Sequence, residues 1–434
     1  MNTLFYFGFD KNRSFFDLFI GLYFWLGFWL KYTLRTIFEN GYFDLVGAFN
    51  LNSGQDHDRV LIISSIAAIS LLIATNLRRY FFSSIHNLRK KDPHTASLLF
   101  YQKYKKNAVL LFVLLAITIP ALNAYFGIYQ RGTTPRTILP FGLNGIFTWL
   151  VFFGLSAFFA VLLDFEIFTE KKVSLRFVFL GFLEIMLSNF SMLSRGMFLN
   201  GSALFFGINE NFKKFKLKGQ LNFNIKLISF VLTLMLLSIL SIEYYRSASF
   251  NNNSPIKRNQ FDIKLFIEIS KSTRVLLVDR WVGIEGVMAV SSYANLGWKT
   301  LDTAWREKYQ DTGTSWYDLT IIESPYKPDN LIGHHFITIP GIVAFLYYSG
   351  NYCFLFFGML FVALLGNSVE YFTYRFGGNN LILCSIMSQV VAYRFIHFGY
   401  VPSQSYLLIG TIIGTVLIFY FLNKFLSRLH LKKP

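Results

Sequence analysis

Apolar stretches of roughly 17–25 residues recur along the chain, separated by short polar connections and by one polar stretch of about 90 residues. Runs of that length cross a hydrocarbon core of about 30 Å as helices, and in lipid a lone segment satisfies its backbone groups only as a helix. Spans are predicted at about 14–31, 60–76, 107–126, 141–163, 173–192, 196–210, 222–243, 337–365, 379–397 and 405–424. The pattern therefore specifies an all-α polytopic membrane protein with about ten transmembrane helices and one long outer loop. The run after Arg195, "GMFLNGSALFFGIN", is short for a full crossing and predicts a tilted segment or one member of a broken pair. "KYTLRTIF" extends the helical pattern past the first span, with cations expected to snorkel to the interface.

Three regions follow. Residues 1–243 form an N-terminal transmembrane bundle of about seven spans, residues 244–336 a periplasmic loop, and residues 337–434 a C-terminal bundle of about three spans. The loop opens on the linker "SFNNNSPIKRNQ" and ends in the turn material "QDTGTS" and "SPYKPDN". Between them, apolar positions at mixed helical spacings predict short helices lying over the membrane mouth.

Charge orients the bundle. The net charge is +17, yet only 15% of residues are charged and 53% are hydrophobic. Lys and Arg gather in short connections: Arg78, Arg79, Arg89, Lys90, Lys91, Lys103, Lys105 and Lys106, then "KKFKLK" from Lys213 to Lys218, then the C-terminal "LKKP". The positive-inside rule assigns these, with both termini, to the cytoplasm, and the acidic first loop and the long loop to the outside. Attraction to anionic lipid headgroups accounts for such patches, which excludes a nucleic-acid partner. The first apolar run lacks a small-residue cleavage pattern, so it is a retained span. Cys353 and Cys384 both fall inside spans and build neither a disulfide framework nor a metal site. No Walker loop, GxSxG elbow or HExxH is present.

Sorting ionisable residues by side gathers the candidate chemistry at the outer mouth. Arg195 stands in "SMLSRGMF", Arg280 and Glu285 in "DRWVGIEG", His334 and His335 in "IGHHFITIPG", and Arg394 and His397 in "VAYRFIHFGY". An ionisable residue at membrane depth is costly and is a functional-site hypothesis by default. Each has a plainer reading. Arg195 snorkels, Arg394 makes an interhelical hydrogen bond, Arg280 pairs with Asp279, and Glu285 is a solvated loop carboxylate. The adjacent histidines do not share a helix face, and no partners stand at zinc-ligand spacing, so no metal is expected.

The order of these features resembles the oligosaccharide repeat-unit polymerases, the Wzy-type O-antigen polymerases and the related enterobacterial common antigen polymerases. "SRGMFLNGSALFFG" resembles the family's span start, "DRWVGIEG" its loop arginine followed by a glutamate, and "HHFITIPGIVAFLYYSGNYCFLFFGML" the helix after the loop. The resemblance covers residues 180–365. A spacing found in some members, arginine with glycine eleven positions on, is not met, since Ser291 and Phe206 stand there.

The resemblance implies a GT-C-like glycosyltransferase of the bacterial inner membrane. It would join undecaprenyl-diphosphate-linked oligosaccharides at the periplasmic face, without metal, cofactor or nucleotide sugar. A chain-length regulator is an admissible partner. Arg195, Arg280 and Arg394 would hold the leaving diphosphate, because an arginine fork binds phosphate oxygens bidentately. Glu285 and His335 are the candidates for the general base, and the choice between them stays open. An O-antigen ligase is the nearest alternative, and a transporter of lipid-linked glycans the next. "DRWVGIEG" is expected to act as a lid, its glycines allowing close backbone approach.

Overall fold

The computed structural model describes residues 1–7, 14–38, 45–82, 95–172, 174–194, 196–215, 281–309, 314–324 and 337–431, with separate positions between 225 and 242. Among them there is no β-strand. Five helices are long and apolar enough to cross a membrane: Gly54–Phe81, Ala96–Phe126, Pro140–Glu170, Tyr352–Phe376 and Ser403–Arg428. Ile228–Ile242 and Leu381–Ile396 are shorter apolar helices.

The elements run α1 (Asn2–Phe7), α2 (Phe15–Phe24), a π-helical turn (Trp25–Leu30), α3 (Lys31–Phe38), α4 (Gly54–Phe81) and α5 (Thr95–Phe126). Then come α6 (Leu143–Trp149), a second π-turn (Leu150–Gly154), α7 (Leu155–Glu170), α8 (Leu175–Ser191) and α9 (Met197–Phe215). After the long connection follow α10 (Ile284–Ser291), α11 (Trp298–Trp305), α12 (Trp316–Thr320), α13 (Ile342–Tyr347), α14 (Tyr352–Phe376), α15 (Leu381–Ile396) and α16 (Ser403–Leu431). α15 is the central pillar, packed on α9, α2 and α14. All of its residues except Tyr393 and Arg394 are buried.

The helix ends sort into two groups. At the basic end lie Arg78 and Arg79 of α4, Lys105 of α5, and Lys171 and Lys172 after α7. There a network of polar side chains fixes the start of α2. Ser14 caps it by accepting from the Asp17 N–H, and Glu370 of α14 accepts from the Phe15 and Phe16 N–H groups at 3.0 and 2.7 Å. Asp17 pairs with Arg78 at 2.9 Å and accepts from Asn367 at 3.0 Å. Polar groups removed from water must be paired in this way, or folding bears their full desolvation cost.

Several expectations are sharpened at the far end. The first helical stretch does not stop at residue 31 but continues through the π-turn to Phe38. Lys31 does not snorkel, for its side chain is fully buried. The short run after Arg195 belongs to α9, 19 residues long, joined to α8 by a tight corner in which Leu193 takes a left-handed conformation. The single span expected at 337–365 is two helices, because a turn at Ser349–Asn351 ends α13 and the Asn351 side chain caps α14.

The expected lid is also different. α10 is buried at all eight positions and packs between α4 and α13. Glycine permits this approach. A Cβ on Gly283 would lie 2.5 Å from the Gly27 carbonyl oxygen, and one on Gly286 would lie 1.9 Å from that of Pro340. α10 is therefore an internal wall of the bundle, while Asp279 and Arg280 of the same stretch lie outside the described residues.

Candidate functional site

A small pocket at the far end is lined by Arg131, Phe152, Asn189, Asn200, Gln389 and Tyr393, with Gly196 at the α8–α9 corner. Local sequence explains how the arginine arrives there. Asn123, near the end of α5, accepts from the Tyr129 N–H at 2.9 Å and donates to the Tyr129 and Ser191 carbonyls. That amide ties the 127–131 turn to the end of α8, and the Arg131 N–H then donates to the Met192 carbonyl at 2.9 Å. The guanidinium lies over Phe152, 5.1 Å from its ring centre, and faces Tyr393 at 5.8 Å. Phe152 is presented by the second π-turn. Such turns often mark functional positions, since the extra residue re-aims a side chain.

On the opposite wall Gln389 donates to the Tyr23 hydroxyl at 3.1 Å. Tyr23 stacks on Trp281 (6.1 Å, 24°) and meets Tyr393 edge-on (6.3 Å, 78°). Among the described residues its lining combines one cation, three side-chain amides and aromatic faces, with no carboxylate. This composition suits an anionic ligand that also carries hydroxyls: arginine matches phosphate oxygens, and aromatic faces match the apolar faces of sugar rings.

Arg394, expected at the diphosphate, is held by the turn that follows α15. Its Nε donates to Ser405 at 2.9 Å, and its Nη2 reaches the Tyr400 and Val401 carbonyls at 3.3 and 3.4 Å. This is the interhelical bond of its plainer reading. It lies close enough to Arg131 for their charges to oppose each other, so it raises the positive potential at the pocket. His397 stacks on Tyr393 with ring centres 3.9 Å apart, and its Nδ1 lies 3.1 Å from the Tyr393 carbonyl.

Glu285, expected to be a solvated carboxylate or a base, occupies the first turn of α10 and pairs with Lys31 at 2.5 Å. Lys31 also donates to the Trp281 carbonyl at 3.0 Å. The pair fastens α10 to the helix that carries Tyr23. Arg195, Arg280, His334 and His335 lie outside the described residues. Their described neighbours are informative: Gly196 lines the pocket, and Trp281 stacks on Tyr23.

The segment between α11 and α13 is pinned by two acids. Asp318 forms a capping box with Ser315 and accepts from the Thr338 N–H at 3.1 Å. Burial pushes its carboxyl above the usual range, although bonds from Ser315 and Thr338 partly oppose that shift. Glu307 is raised chiefly by burial too, and accepts from the Trp316 N–H at 2.6 Å. Among the described residues no three His, Cys, Asp or Glu side chains converge, and no metal centre is assigned to them.

Sequence reasoning passed over Arg131, Gln389 and Tyr23. The available signal for Arg131 was an arginine in a short outer connection, "YQRGTTPR", where cations are sparse. Compared with protein-family models, with curated proteins and with solved structures, the chain matches none.

Proposed function

We propose that the protein is a GT-C-like glycosyltransferase of about ten spans that polymerises polyprenyl-diphosphate-linked oligosaccharide repeat units at the outer face of a bacterial inner membrane. The observation that carries this reading is the Arg131 pocket, a cation among amides and aromatic rings at the end of the bundle away from the basic connections. A departing lipid diphosphate develops negative charge, and a preorganised guanidinium stabilises it where it forms. Arg131 joins Arg195 and Arg280 as a phosphate ligand in this scheme, while Arg394 contributes potential from the turn. Glu285 acts by holding α10 in place through Lys31, which leaves His335 as the base candidate among the two residues considered.

The test is genetic. Cells lacking the gene should make surface polysaccharide of single repeat units without a ladder, and the wild-type gene should restore it. Arg131→Ala should reduce polymer by about tenfold or more, the scale of one charge-assisted bond, and Arg131→Lys should restore only part of it. An intact ladder in the deletion strain would refute the reading. Accumulation of polymer on its carrier, with lipid A left uncapped, would assign a ligase instead.

A further inference from the structure

Gln389 has one end of its amide engaged and the other idle. Its Nε2 donates to the Tyr23 hydroxyl at 3.1 Å, while its Oε1 is buried and accepts no hydrogen bond. The side chain lines the same pocket as Arg131, and the residue is 2% exposed. Buried acceptors are almost always satisfied, so an orphan at an opening to solvent asks for a donor from outside the protein. Tyr23 is itself held between Trp281 and Tyr393, which fixes the position of the amide it binds.

The ligand must therefore do two things. Arg131 requires negative charge, whereas an amide oxygen repels a bare anion and requires an O–H or N–H. A sugar phosphate carries both groups on adjacent atoms. The enclosed free space is about 10 Å³, the room of a single water, so what reaches Gln389 is one polar group of a ligand whose body lies in the open mouth and not a whole sugar-phosphate unit.

We propose that Gln389 Oε1 accepts a hydrogen bond from a hydroxyl or amide N–H of the sugar next to the diphosphate. Gln389 then reads the glycan while Arg131 holds the phosphate. The proposal rests on the lipid-linked glycan reading above, and the experiment separates the two. The full chain in nanodiscs is titrated with undecaprenyl diphosphate, and with the glycan-bearing undecaprenyl diphosphate extracted from cells lacking the gene. Wild type should bind the glycan-bearing lipid about three- to tenfold more tightly than the bare one, the factor given by one hydrogen bond.

Gln389→Met, close in volume and without the orphan oxygen, should erase that preference by weakening binding of the glycan-bearing lipid. Its thermal midpoint should equal or exceed that of wild type, since a buried unmade acceptor has been removed. Tyr23→Phe, which releases the amide from its register, should narrow the preference by a smaller factor. Equal wild-type affinity for the two lipids, or a preference that survives Gln389→Met, overturns the role of Gln389 alone. Absence of binding by either lipid overturns the functional reading beneath it, and this proposal with it.

Discussion

The Lys31–Glu285 pair gives the sharpest handle on how the pocket is built. Its two side chains are 0% and 4% exposed and stand 2.5 Å apart. At an effective dielectric of about 20, unit charges at 2.5 Å attract by about 7 kcal/mol, and the desolvation of both ions offsets most of that gain. Removing one partner takes away the counter-charge packed against the other, and breaking such a buried pair costs about 3–5 kcal/mol. Lys31→Met and Glu285→Met should each lose stability on that scale. The glutamate variant should lose less, because Lys31 keeps its bond to the Trp281 carbonyl.

The double variant Lys31→Met/Glu285→Met places two apolar side chains where two ions stood. It should unfold within about 1 kcal/mol of wild type, or be more stable. Thermal and denaturant unfolding of the detergent-solubilised protein, followed by tryptophan fluorescence, gives the double-mutant cycle. A coupling energy of about 3 kcal/mol is expected. The reasoning fails if the two single losses simply add in the double variant, for then the residues act through separate contacts. Activity supplies an independent check. If Glu285 only positions α10, the apolar double variant retains polymer formation. If Glu285 is the base, the double variant is stable and inactive.

Three further outcomes follow from named contacts. Gly286→Ala should destabilise by about 3 kcal/mol, at the upper end of overpacking costs, because its Cβ would meet the Pro340 backbone, whereas Gly410→Ala in α16 meets nothing within 4 Å and should stabilise by up to about 1 kcal/mol in the same unfolding assay. Glu370→Ala should cost about 2 kcal/mol by stripping the first N–H groups of α2 of their acceptor, and proteolysis near residue 14 should become faster. Asp318 holds its proton more tightly in the folded state than in the unfolded chain, so its contribution is whole below the ordinary carboxyl range and is lost as pH rises through the folded value. The stability difference between wild type and Asp318→Asn should therefore shift against wild type as pH rises from about 4 toward neutrality, and a flat difference would contradict the burial of Asp318.

How far the sequence foretold this arrangement depended on the range of the forces involved. Helix positions were legible because periodicity and length are local, and helices α4, α15 and α16 lie close to the expected spans. Their ends were less so. A π-turn in "WLGFWL" leaves no periodic signature distinct from an α-helix, so the continuation from α2 into α3 was read only as an extension of pattern. The split between α13 and α14 depends on the Asn351 cap inside an otherwise apolar run, a short polar signal that hydropathy averages away. Glu285 was singled out by its residue type, but its partner Lys31 stands about 250 positions earlier, and no local pattern encodes that pairing. Arg131 was passed over for a related reason. Its importance lies in the Asn123 link that folds a short connection onto α8, a contact across 68 positions.

The buried polar groups around the start of α2 and those lining the pocket are partnered differently, and that contrast bears on where chemistry belongs. At the basic end, Asp17 has Arg78, Glu370 has two backbone N–H groups and the Ser388 hydroxyl, and Asn367 bridges Ser14 to Asp17. Those groups are engaged with one another, and a network of that kind fastens helices without asking for a ligand. At the far end, Arg131 is steadied by aromatic faces and has no carboxylate beside it in the pocket, and Gln389 keeps an acceptor unmade. Leaving a cation without a counter-charge and an oxygen without a donor in one opening is unfavourable for folding alone, because a single acidic side chain could have supplied the first. A stability rationale would favour a glutamate in place of Gln389, which would neutralise Arg131. Gln389→Glu should accordingly stabilise the far end in thermal unfolding and, by occupying the guanidinium, weaken binding of undecaprenyl diphosphate. If that variant is stabilised yet binds the lipid as wild type does, Arg131 is not the group that receives the phosphate.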